Sequence, residues 1–228
     1  MNQSMQDASL SVGLVNNYYA FGGAETVVRQ LFHGYRQKEI DTRLYLALGK
    51  SYPSDQQIIP LYPRILSRLD HSRFREYLKK FASRFAWTNR KFAMLAHSEH
   101  HIIHIHNFHG DYASPQSLAY LALRKPVIWT FHGFWGITGG CGNFGTCSRY
   151  LDSCGQCPRL GSFGVGPVDN TSEQLLLKKA TIGRVPLTVV VPSSKLRGMV
   201  SKSPIASNWN VACIPCLLYT SPSPRDRG

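Results

Sequence analysis

The chain has 228 residues, 43% hydrophobic and 17% charged, an ordinary globular composition with length for one sizeable core or two small ones. Lys and Arg number 26 against 13 Asp and Glu, a formal charge of +13, which favours anionic partners: nucleic acid, acidic lipid surfaces or phosphorylated small molecules. The start, MNQSMQDASLSVGLV, lacks a basic leader with a long apolar run, and no apolar stretch is long enough to span a bilayer. A cytoplasmic location is therefore expected, where thiols stay reduced.

In chain order, LSVGLVNN (10–17) is a short apolar run and reads as a buried strand. Gly22 and Gly23 then open a segment in which Val27, Val28, Leu31, Phe32 and Tyr35 have helical spacing. DTRLYLAL is a second strand, so the opening is a βαβ unit with a glycine loop at its first turn. The stretch from YPRILSRLD to KFAMLAH is predicted helical and strongly basic. HHIIHIHN is a strand, SPQSLAYLALR a helix behind a Ser N-cap, and KPVIWTFH a strand. A Gly- and Cys-rich excursion over 139–161 interrupts the pattern. SEQLLLKKATIG and SKLRGMVSKS are helices, LTVVVPS a strand, and WNVACIP begins another. Strands alternating with helices predict an α/β protein, a parallel sheet flanked by helices on both faces.

The tail CLLYTSPSPRDRG follows abruptly. Read back into codons, residues 216–226 match one frame of the transposon-end adapter used for sequencing libraries. Residues 216–228 are therefore set aside as an artefact, the alternative being a disordered Ser/Pro tail. On this reading the natural chain continues beyond Pro215.

Four pieces in order, FGGAETVVRQL, IIHIHNFHG, PVIWTFHGFW and LTVVVPSSKL, resemble the N-terminal domain of GT-B type, family-four glycosyltransferases. The segment TFHGFWGITGGCGNFGTCSRYLDSCGQCPRL looks like a branch that builds capsular and exopolysaccharides. The resemblance covers about residues 10–215. It implies a Rossmann-like domain at 1–215 forming the acceptor side of an interdomain cleft, with a C-terminal donor-binding domain absent. It further implies a retaining transfer of a hexosyl group from a nucleotide-sugar donor to a glycan or polyprenyl-linked acceptor, with no metal required at the reaction centre.

The resemblance also marks site residues. Gly22 and Gly23 would let backbone N–H groups approach the donor's diphosphate or the acceptor at a helix N-terminus, the alternative being a tight turn requiring positive φ. Glu25 lies in that helix's first turn, where a carboxylate is favoured anyway, and is assigned no chemistry. His106, Asn107 and His109 lie at or past a strand end, where parallel sheets bind ligands. His132 matches a family position beside the acceptor and transferred sugar, with a strand-capping role as the alternative. His104 is expected to face the core. The basic stretch 64–91, interleaved with Phe74, Tyr77 and Phe81, reads equally as a dock for an anionic membrane or as a solvated face.

Cys141, Cys147, Cys154 and Cys157 have the spacing C-x5-C-x6-C-x2-C. The C-x2-C pair is a zinc-knuckle spacing and the first pair is looser, so a structural zinc ion leads, followed by buried reduced thiols, then disulfide or redox chemistry. Two further readings of the whole chain are a zinc-containing basic nucleic-acid-binding module and a non-catalytic α/β binding protein. Nucleic acid is the less favoured partner, because the basic residues do not gather around the cysteines.

Overall fold

The computed structural model describes residues 10–47, 51–61, 87–109, 113–162 and 164–215. Seven strands form one sheet in the order β3-β2-β1-β4-β5-β6-β7, every neighbouring pair parallel. They are β1 (Ser11–Asn16), β2 (Asp41–Leu46), β3 (Ile58–Pro60), β4 (Ile102–His106), β5 (Val127–Thr130), β6 (Leu187–Val191) and β7 (Trp209–Cys213). Among the described residues five helices connect them: α1 (Gly23–Gln37), α2 (Trp87–Ala96), α3 (Pro115–Ala122), α4 (Thr171–Ala180) and α5 (Ser194–Lys202). The expected Rossmann-like architecture is thus the observed one. The tail 216–228 and all of the basic stretch before Trp87 lie outside the described residues.

Alternation along β1 sends Val12 and Leu14 to one face and Val15 to the other. On the first face α1 lays Val28 and Phe32, one helical turn apart, against Val12, Leu14, Leu44, Leu46 and Ile58. On the second face α2 and α3 bring Phe92, Leu95, Leu118 and Leu121 against Val15, Ile103 and Ile105. Both faces are covered, which is why β1 is buried along its whole length. Ser114 caps α3 as expected, its hydroxyl accepting from the Ser117 N–H at 3.2 Å. The short strand β3 was not predicted. It ends in Pro60 at the sheet edge, where a residue without an N–H is tolerated.

The order reverses between β1 and β4. From β1 the chain moves outward to β2 and β3, then returns to β4 on the other side and proceeds to β7. The carboxyl ends of β1 and β4 are thus the topological switch point, and the crevice outside such a point is the usual ligand position in an open parallel sheet. Among the described residues no helix is long and apolar enough to cross a membrane.

Candidate active site

Register sets what meets at this crevice. Val15 pairs with Ile105, and His106 pairs with Thr130, so Asn16, His106 and Thr130 lie at one level. Asn17 and Asn107 follow one residue beyond, and His132 two residues beyond Thr130.

The β1–α1 loop is tied to the end of β4. Gly22 caps α1 in an extended conformation, φ −154°, so positive φ is not its reason for being there. The Gly22 N–H donates to Glu25 Oε2 at 2.8 Å, and Asn107 Nδ2 donates to Glu25 Oε1 at 2.9 Å. Asn107 makes that reach from φ +45°, a region Asn tolerates better than most residues. Glu25, 5% exposed, is the residue that joins the two strand ends. Sequence reasoning gave it no role, although a Glu three residues after a helix cap is a known backbone partner.

Asn16 and Asn17 were likewise not singled out. Asn16 Nδ2 donates to the Tyr18 carbonyl at 2.8 Å, and Asn17 Nδ2 lies 2.8 Å from His109 Nε2. Both amide oxygens are buried without a hydrogen-bond partner among the described residues. Buried acceptors are normally satisfied, so two orphans on consecutive residues at a switch point are candidates for a ligand's hydroxyl groups. The signal was present in the sequence as two consecutive Asn at the end of an apolar strand.

The histidines form a column. His104 and His106 share a face, ring centroids 4.3 Å apart, and the His106 ring stacks on His132 at 5.3 Å. His104 pairs in register with Leu14, which places the column on the α1 side of the sheet. His104 faces inward as expected, its Nε2 2.8 Å from Thr130 Oγ1, while its Nδ1 is buried without a partner among the described residues. His106 is fully buried, so it reaches the crevice only through His132, its Nδ1 3.0 Å from His132 Nε2. His132 is open to solvent, yet enough protein surrounds the ring that lost hydration lowers its pKa to about 4. Burial, with His132 nearby, likewise lowers His104 to about 4, and burial beside both other rings lowers His106 well below 6.5. All three are neutral at pH 7, and the hydrogen bond between His106 Nδ1 and His132 Nε2 ties the exposed ring to the buried one.

The cysteine segment braces this strand end. The Phe134 N–H donates to the Gly142 carbonyl at 3.1 Å, so the loop returns beside the residues following His132. Phe134, Phe144 and Tyr150 pack in a row, centroids 4.5 and 4.4 Å apart. Cys141, Cys147, Cys154 and Cys157 line one small cavity of about 20 Å³ with Phe144, Tyr150 and Pro158. All four are free thiols. As they stand, no group of three or more His, Cys, Asp or Glu among the described residues is arranged to hold a metal ion.

The loop also touches α4 at its first residue. A Cβ on Gly139 would lie 2.1 Å from the Thr171 carbonyl oxygen and 2.8 Å from its carbonyl carbon. Backbone cannot yield there without moving the helix. Gly139→Ala is therefore expected to destabilise the fold by about 3 kcal/mol or more, at the upper end of overpacking costs. Gly166→Ala, with no atom in its way, should cost far less. Denaturant midpoints of the two variants check this, and equal midpoints would contradict the contact.

With this geometry in place, comparison with known proteins is decisive. Residues 21–156 match the family model described as Glycosyltransferase Family 4, more than half of the chain. The chain belongs to glycosyltransferase family 4. The matched region runs from the β1–α1 loop through Glu25, Asn107 and His132 into the cysteine segment; Asn16, Asn17 and Cys157 lie outside it. The family-4 chain is also similar to the putative colanic acid biosynthesis glycosyl transferase WcaC of Escherichia coli (strain K12), 24% identical over 178 residues. That alignment covers 72% of the family-4 chain and 43% of WcaC, so the chain spans less than half the length of this curated relative.

Proposed function

We propose that this family-4 domain is the acceptor-side half of an enzyme that moves a hexosyl group from a nucleotide-sugar donor to a growing polysaccharide. The acceptor is lipid-linked, and the anomeric configuration of the donor is retained. The observation that carries the reading is the set of polar residues beyond the strand ends at the sheet's switch point: Asn16 and Asn17, with buried unpartnered amide oxygens, stand at the end of β1, and the exposed His132, held by His106, follows β5. A sugar acceptor offers several hydroxyl donors to such a surface, while family membership supplies the reaction class. Gly22 and Gly23 lie at the rim, Asn107 and His109 brace the wall, and His106 holds His132 from below. The reading puts the reaction at the inner face of a membrane, with the basic stretch 64–91 as the dock. The relative's printed role in colanic acid biosynthesis supports a polysaccharide product.

The test uses the complete protein, incubated with a panel of labelled nucleotide sugars and membrane extracts or polyprenyl-diphosphate glycans. Label is expected to enter the lipid fraction with one donor, and the product anomer to match that donor. The 228-residue chain alone is expected to show no multiple turnover. Transfer by the complete protein to water only, or robust turnover by the 228 residues alone, would overturn the two-half arrangement.

A further inference from the structure

The packing of α4 beneath the cysteine loop buries a lysine that the glycosyl-transfer reading does not use. Lys178 is 0% exposed. Leu175 and Thr171, one and two turns earlier on α4, are buried on the same face. Lys178 Nζ donates to the carbonyls of Trp135 at 2.6 Å and Thr138 at 2.8 Å, and lies 3.4 Å from the centre of the Trp135 ring. These partners are neutral. The only Lys or Arg ion pair among the described residues joins Arg36 to Asp55, elsewhere in the fold. A buried ammonium without an anion is costly by several kcal/mol. The groups able to supply negative charge close to Lys178 are the sulfurs of Cys154 and Cys141.

Three features of the loop point the same way. The four cysteines, from separate turns, line a single cavity large enough for about one water-sized occupant. Cys154, Gly155 and Gln156 take φ of +53°, +79° and +45°, three successive left-handed residues. Two of them are not glycine, and such backbone persists only where its surroundings demand it. This turn brings Cys157 within hydrogen-bond reach of Cys141, while the Gly139 N–H is directed at Cys154.

We propose that Cys141, Cys147, Cys154 and Cys157 bind one zinc ion as a tetrathiolate, with Lys178 as its buried counter-ion. Four thiolates around one Zn²⁺ carry a net charge of −2, and Lys178 offsets part of it from inside the core. Binding rotates the thiols about χ1 on a loop whose backbone is already held by α4 and the aromatic row. The protons leave to solvent as the metal enters. The site is structural, with no open position for catalysis, and it steadies the segment that carries His132. This inference is independent of donor and acceptor identity.

The experiment measures metal in the complete chain purified under reductant from zinc-supplemented cells, with circular dichroism to confirm folding. About one zinc per chain is expected. Cys154→Ser and Cys157→Ser should each hold less than about a tenth of that, and Cys213→Ser, on β7, should hold the full amount. Cobalt(II) in place of zinc should give the intense visible bands of tetrahedral thiolate coordination. Lys178→Met should keep zinc but lose it to a chelator at on the order of 10- to 100-fold lower chelator concentration, the usual effect of removing a group that supports metal ligands. Lys178→Arg should restore much of the affinity. Folded, reduced wild-type chain with less than a tenth of an equivalent of zinc and no cobalt bands would overturn the site. A mass lower by two hydrogens, locating a Cys141–Cys157 disulfide in protein purified without reductant and refractory to zinc, would do the same. Unchanged zinc retention in Lys178→Met would overturn the counter-ion.

Discussion

In the active enzyme, His132→Ala is expected to lower kcat on the order of 10²- to 10⁴-fold, the range for lost acid–base or polar participation in a transition state. Stability should fall much less, by about 1–3 kcal/mol, because the substitution leaves His106 Nδ1 without its 3.0 Å partner. The ring, with its pKa lowered to about 4, enters the reaction neutral. Its expected role is therefore to orient a hydroxyl or accept a proton as a neutral ring, not to arrive as a charged acid. The kcat profile should accordingly show no inflection from this residue near 6.5. His132→Gln, which can still hydrogen-bond, should recover part of the loss if orientation is the main contribution. Turnover within threefold of wild type in His132→Ala would make the histidine a strand cap.

Acidification should unfold the domain earlier than its carboxylates would. The unfolded chain takes up protons on histidine near 6.5, while the folded column resists them, with His104 held to about 4 and His106 well below 6.5. Below 6.5 the unfolded state therefore binds more protons, and stability falls as pH drops from about 6.5 to about 4. His104 alone accounts for about 2 kcal/mol of loss at pH 5 and about 3 kcal/mol at pH 4. Asp55 and Asp169 act in a lower window. Their pKa values are lowered from 3.8, by the Gln57 and Cys157 backbone N–H groups first, so their contributions persist until pH falls below that value. Urea unfolding at pH 7.5, 6 and 5 measures the difference, and His104→Gln should flatten the slope by about one proton. A flat profile between pH 7.5 and 5 would mean that the column is not held neutral.

The parallel sheet was legible because its strands are short apolar runs separated by capped, 3.6-periodic helices, and both signals are local. The edge strand β3 was not, because three residues ending in proline carry no periodicity. Histidines 106 and 132 were marked as separate strand-end residues. Their contact depends on the β4–β5 register, which no single strand encodes. Glu25 was passed over because its helix begins at a glycine, so the hydroxyl half of a capping box is missing and the remaining half looks like ordinary first-turn charge. Lys178 was hidden by its neighbour: in LLLKKA two lysines look like a solvated face, yet Lys178 is three residues after Leu175 and must share its buried side. The cysteines were legible as a cluster, but not the lysine beneath them.

The bridge through Glu25 changes what the glycine loop can offer. A bare helix N-terminus would attract phosphate, but here a resident carboxylate already occupies the Gly22 amide and neutralises that end of α1. An incoming diphosphate would have to evict it, and would gain only the difference between two anions while stranding a buried acid and releasing Asn107. The loop thus behaves as a filled socket, and its selectivity runs towards neutral guests. What the first strand–helix turn of this chain disfavours beside the Gly22 amide is a second negative charge, which agrees with the neutral, hydroxyl-bearing acceptor proposed above.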